Sequence, residues 1–106
     1  MNFDINETLS QMLGAIKQTV GENWPQAKSA MNDFFQSRRS RIELLADFRI
    51  RKLITEEEFQ SRLEDEKLLL NSELHVIAII SKAMAQNAAN AAIDILNKAV
   101  KALIPF

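Results

Sequence analysis

Leu53-Ile54-Thr55-Glu56-Glu57-Glu58-Phe59 is the stretch on which the fold turns. The Thr55 hydroxyl suits a helix N-cap, and Glu58, at the third helical position, can reach back to the Thr55 backbone. Together they form a capping box. Ile54 before the cap and Phe59 at the fourth position supply a hydrophobic staple, which sets the angle at which the chain enters the helix. Three carboxylates in the first turn face the positive end of the helix dipole. A helix therefore begins at Thr55, and residues 53–55 form a tight turn out of a preceding helix.

Upstream of that turn, Ala27, Met31, Phe34, Phe35, Ile42, Leu45, Phe48 and Leu53 recur at helical spacing. They predict a helix over about 26–53, with Arg38 interrupting the stripe and snorkelling out of it. Further back, Ile5, Leu9, Met12, Ile16 and Val20 predict a helix over about 4–20, capped by Asp4 with Glu7. Gly21 ends it and Pro25 suits the first turn of the next, so the first arm is bent between them. Downstream, Phe59, Leu63, Leu70, Leu74, Ile77 and Met84 share one helical face, and no strong breaker precedes Pro105. Asn71 and Asn87 mark the weak points of a segment running from 55 to 104.

The fold class is all-α within a single domain, residues 1–106. The favoured architecture is a long antiparallel helical hairpin with a bent first arm, three helices in all. An arm of this kind extends to about 75 Å at the rise of an α-helix. The alternative, a compact four-helix bundle, breaks the last segment near residue 71 or 87 and folds it back. Charge supports pairing about Ile54: residues 26–54 carry seven basic and three acidic side chains, a net of +4, and residues 55–75 carry two basic and seven acidic, a net of −5. Such pairs set register more than stability.

Ile54 to Phe59 with Arg62 resembles the second-helix start of short hairpin modules of the SHOCT type, often attached to oligomerising proteins. The resemblance covers a short stretch around the start of that helix.

Val76 to Ile104 is the other informative region. It is mostly apolar, rich in alanine and free of Gly and Pro. A helix on the outside of a domain needs one apolar stripe, and this segment is apolar around most of its girth. In a two-helix hairpin that surface would remain wet, which soluble monomers avoid. The small residues Ala78, Ala85, Ala88, Ala89, Ala92 and Ala99, with Ile95 and Leu103, are therefore the expected assembly surface.

Little in the chain suggests catalysis. There is no Cys or Tyr, and no Gly-rich phosphate loop. His75 is the only histidine and has no carboxylate three or four residues away to complete a metal pair. No enzyme activity, cofactor, metal or small-molecule substrate is expected. Trp24, at the bend, and Arg38, Arg39 and Arg41 are candidate partner contacts. The arginine cluster faces the acidic segment, so phosphate binding ranks last among its uses. Residues 1–6 contain Asp4 and no basic residue, which does not read as a secretory signal. Charges interrupt the tail before it reaches the roughly 20 apolar residues of a membrane span. The expected location is cytoplasmic, or exported by a signal-less route.

The expectation is a non-enzymatic, self-assembling structural or adaptor protein that associates with copies of itself or with a helical partner through the Ala-rich C-terminal helix. A membrane-active, pore-forming or membrane-binding protein is the alternative, and a weak nucleic-acid binder through Arg38 to Arg41 comes third.

Overall fold

The computed structural model describes residues 3–104; Pro105, named above as the first strong breaker downstream, lies outside them. The described residues form four α-helices and no strand: α1 (Ile5–Val20), α2 (Trp24–Ile50), α3 (Glu56–His75) and α4 (Lys82–Lys101), with one 3₁₀ turn, Gly21–Asn23, between α1 and α2. The all-α class and the bent first arm are as the sequence predicts.

Each boundary has a local cause. The Asp4 carboxylate accepts from the Glu7 backbone N–H at 3.0 Å and starts α1. Gly21, at φ 56°, ends it in a backbone conformation that L-residues rarely adopt. Pro25 then lies in the first turn of α2. At the far end of α2 the chain reverses through a Schellman motif: the Leu53 N–H donates to Phe48 O at 2.8 Å and the Lys52 N–H to Arg49 O at 3.0 Å. Lys52 occupies the left-handed position at φ 60°. The capping box that follows is complete in both directions, Glu58 N–H to Thr55 Oγ1 and Thr55 N–H to Glu58 Oε1, each 3.0 Å. Phe59 is buried and Ile54 packs half-buried against the same core.

The segment expected to run unbroken from 55 to 104 is shared by two helices. The break falls at residues 76–81, between the two weak points named above. Asn71, Asn87 and Asn90 all stay helical; the cost of an Asn within a helix is tenths of a kcal/mol to about 0.7 kcal/mol. Val76, Ile77, Ile79 and Ile80 are β-branched and stiff at χ1, which weakens the helix there. Ser81 then caps a new helix, accepting from the Met84 N–H at 3.1 Å.

The second reversal places α4 beside α1. Asn23 Nδ2 donates to Met84 Sδ at 3.6 Å, joining the end of α1 to the start of α4. Gln60 donates to Asn97 Oδ1 at 3.0 Å, which sets α3 and α4 antiparallel. The helices pack in ring order, α1 on α2, α2 on α3, α3 on α4 and α4 on α1, with α2 and α4 also meeting across the diagonal. This is the compact four-helix arrangement, 42 × 23 × 22 Å, well short of an extended 75 Å arm. Burial explains the outcome. Folded back, the tail covers its alanines with the apolar stripe of α1, Ile5, Leu9, Met12, Ile16 and Val20. Extended, that surface would stay in water.

The α2–α3 groove as a candidate functional site

The site expected from the sequence is mostly core. Ala85, Ala88, Ala89 and Ala92 are buried inside the monomer, Ala88 with 0% of its surface exposed. They correct the expectation of an alanine assembly surface. The small side chains do let a helix approach closely, but the helix belongs to the same chain. Ala78 is not on α4 at all; it lies exposed in the α3–α4 link. Ile95, Ala99 and Leu103 are half-buried along the edge of α4 and its C-terminal end. Trp24 is half-buried and packs on the core where α2 begins.

The arginine cluster is divided. Arg38 makes a bidentate pair with Glu66, Nε to Oε2 at 3.1 Å and Nη2 to Oε1. Glu66 is only 5% exposed, so this pair lies at the seam between α2 and α3. The hydrogen bond from Glu66 raises the pKa of Arg38 further above its ordinary value, against the opposing effect of burial. Arg41 stands 3.9 Å from Glu66 Oε1 with its side chain largely exposed. Arg39 is exposed. Three adjacent phosphate ligands are therefore not presented, because one of them is already satisfied by a carboxylate. A second cross-helix pair, Arg49 Nε to Glu56 Oε2 at 3.0 Å, ties the hairpin near its turn. Glu56 has its pKa lowered, first by the hydrogen bond from Gln60 and then by Arg49.

The surface feature that sequence periodicity does not reveal is a groove of about 530 Å³ between α2 and α3. Leu44, Leu45 and Phe48 from α2, Ile54 from the turn and Leu69 from α3 supply its apolar lining; Arg38, Arg41, Arg62, Asp65 and Glu66 supply its polar part. Leu44 is 52% and Leu69 45% exposed, and Leu53 and Leu68 on the same hairpin are also exposed. Leu45 and Phe48 belonged to the predicted core stripe of α2, and the structure leaves both only half-buried. The warning in the sequence was the Leu68-Leu69-Leu70 triplet. Three consecutive leucines span too much of a helix circumference for all to face one core, and only Leu70 is buried.

No match is found. Family models, curated proteins and solved structures were all compared with this chain. The hydrogen bonds of the capping box account for the SHOCT-like start at Ile54 to Phe59 as a local pattern. Among the described residues no three His, Cys, Asp or Glu side chains converge as metal ligands, and no helix is long and apolar enough to cross a membrane. His75 ends α3 in an exposed position. The shallow depression between α3 and α4 is lined mainly by Gln60, Glu64, Lys67, Asn90, Asp94 and Asn97 and is a solvated polar seam.

Proposed function

We propose that this chain is a non-enzymatic association module that pairs with a second copy of itself through the outer face of α2 and α3. The observation that carries the reading is the apolar groove, with Leu44 exposed on its α2 wall. A two-fold contact presents the same patch twice, so the patch must be self-complementary. The exposed Leu44 rim of one copy can enter the groove that it borders on the other. Its two helices also differ in charge, α2 basic and α3 acidic. Setting α2 of each copy over α3 of the other brings opposite charges together in both halves of the contact. The bundle is 42 Å long and about 22 Å across, so one of its sides has room for the roughly 800 Å² per partner of a standard interface. The surface differs from the one expected from the sequence, because the tail that needed covering is covered by α1.

Light scattering of the full chain, at rising concentration, tests this. The expected mass is twice the 12.0 kDa of one chain. Leu44→Asp with Leu69→Asp should return it to one chain while leaving the helical content intact. A wild-type chain that stays at 12.0 kDa at high micromolar concentration overturns the proposal.

A further inference from the structure

The α3–α4 link has the wrong composition for a turn. Turns favour Gly, Pro, Asn, Asp and Ser, and this one opens Val76-Ile77-Ala78-Ile79-Ile80. The core uses only part of it. Ile80 is buried and Ile77 packs half-buried against the core, whereas Val76 is 77% and Ile79 52% exposed, with exposed Ala78 between them. We propose that this link is a membrane-surface contact, placing Val76 and Ile79 in the headgroup region of an anionic lipid surface.

Four observations point to lipid. The link reverses the chain at one end of the 42 Å bundle, so it meets a plane end-on. Its backbone is partly satisfied from within: the N–H groups of Val76, Ile77 and Ile80 donate to Ser72 O, Leu74 O and Ile77 O. An apolar medium penalises backbone groups that lack such partners. Trp24 lies at the same end, where the bond from Asn23 to Met84 joins the α1–α2 bend to the start of α4. Tryptophan favours the membrane–water boundary, with its apolar ring on one side and its N–H in the wet layer. Finally, exposed cations stand towards the same end of the bundle: Lys82 at the start of α4, Lys28 one turn into α2 and Lys17 in the last turn of α1. They outnumber the acids of this end, Glu22 and Glu73. Surface binding of this kind scales with apolar area plus attraction to anionic lipid. The contact is peripheral, since no described helix can cross a bilayer. It is independent of the α2–α3 pairing, which uses the side of the bundle.

Co-sedimentation of the full chain with vesicles of phosphatidylcholine plus phosphatidylglycerol, and with phosphatidylcholine alone, tests the proposal. Trp24, the single tryptophan, supplies a second readout through its fluorescence. Binding to the anionic vesicles only, a blue shift of Trp24 emission and weakening by salt are expected. Val76→Gln with Ile79→Gln should lower the partition constant at least about tenfold. Lys28→Glu with Lys82→Glu should weaken it as well; both side chains are exposed, so the fold is kept. Melting curves matching wild type confirm that each variant is folded. Failure to bind anionic vesicles, equal binding to neutral ones, or undiminished binding of either folded variant overturns the proposal. So does a loss of mass in Val76→Gln with Ile79→Gln without lipid, which would assign the link to a protein contact.

Discussion

Ala88→Leu separates the two roles that the alanine ridge can play. Ala88 has no exposed surface and belongs to the row Ala85, Ala88, Ala89 and Ala92 that α4 turns into the core. The substitution adds three carbons where the monomer has no open side to receive them. Overpacking of a filled core costs typically 1–3 kcal/mol, and about 2 kcal/mol is a fair value for one Leu forced between two helices. For a domain of this size each kcal/mol lowers Tm by about 4–8 °C, so a fall of about 8–16 °C is expected. Ala83→Leu provides the control: Ala83 is exposed on α4, and its replacement should move stability by no more than about 0.5 kcal/mol. Thermal and urea denaturation followed by circular dichroism at 222 nm read both variants, with light scattering alongside. If Ala88→Leu melts like wild type while the mass of the assembly falls, the alanines face another chain and the intramolecular packing of α1 on α4 is wrong.

Three other outcomes are expected. Arg38→Met leaves the buried Glu66 without its bidentate partner; breaking a buried pair costs about 3–5 kcal/mol, reduced here to about 2 kcal/mol because Arg38 is partly exposed and Arg41 is close enough to take over. The double variant Arg38→Met with Glu66→Leu should recover most of that loss in urea melts; an Arg38→Met variant as stable as wild type would remove the pair from the account of the seam. Lys52→Gly relieves a left-handed L-residue, worth about 1–2 kcal/mol, against a larger backbone entropy loss of about 0.5–1 kcal/mol; a net gain of about 0.5–1 kcal/mol in chemical denaturation is expected, and a loss would contradict the Schellman geometry. For pH, the hydrogen bonds from Thr55 lower the pKa of Glu58 in the folded chain, and Gln60 with Arg49 lowers that of Glu56. A lowered folded value means stability that is present above the unfolded pKa of about 4.3 and is lost as pH falls through the folded value. Glu58→Gln keeps a side chain able to accept at the cap but cannot titrate, so its stability should fall less steeply than wild type below about pH 4.3; an acid limb of unchanged slope would refute the assignment.

Much of this protein is legible in its sequence because the deciding interactions are local. Thr55 with Glu58, Asp4 with the Glu7 N–H, and Gly21 followed by Pro25 act over three or four residues, so helix starts, the reversal beside Ile54 and the bend of the first arm can be read directly. The helical period likewise places Ile5 to Val20 on one stripe and Phe59, Leu63, Leu70 and Leu74 on another. The same local logic marks Ser81 as a cap once the β-branched run before it is weighed, but Asn71 and Asn87 are the more conspicuous breakers and draw attention away from it.

Tertiary structure decided the rest. An apolar face declares that it must be covered; it does not declare by what, because burial is non-directional and roughly proportional to area. Only the packing of α4 against α1 shows that the alanine row is satisfied within the chain, and only the seam between α2 and α3 shows that Arg38 is held by Glu66. The same packing decides which apolar residues are left over: Leu44 and Leu69 at the groove, Val76 and Ile79 at the end. By itself the sequence determined an all-helical chain that turns at residues 53–55. The return of its last helix, and with it the choice of surface left for partners, was decided by competition among distant faces for the same apolar area.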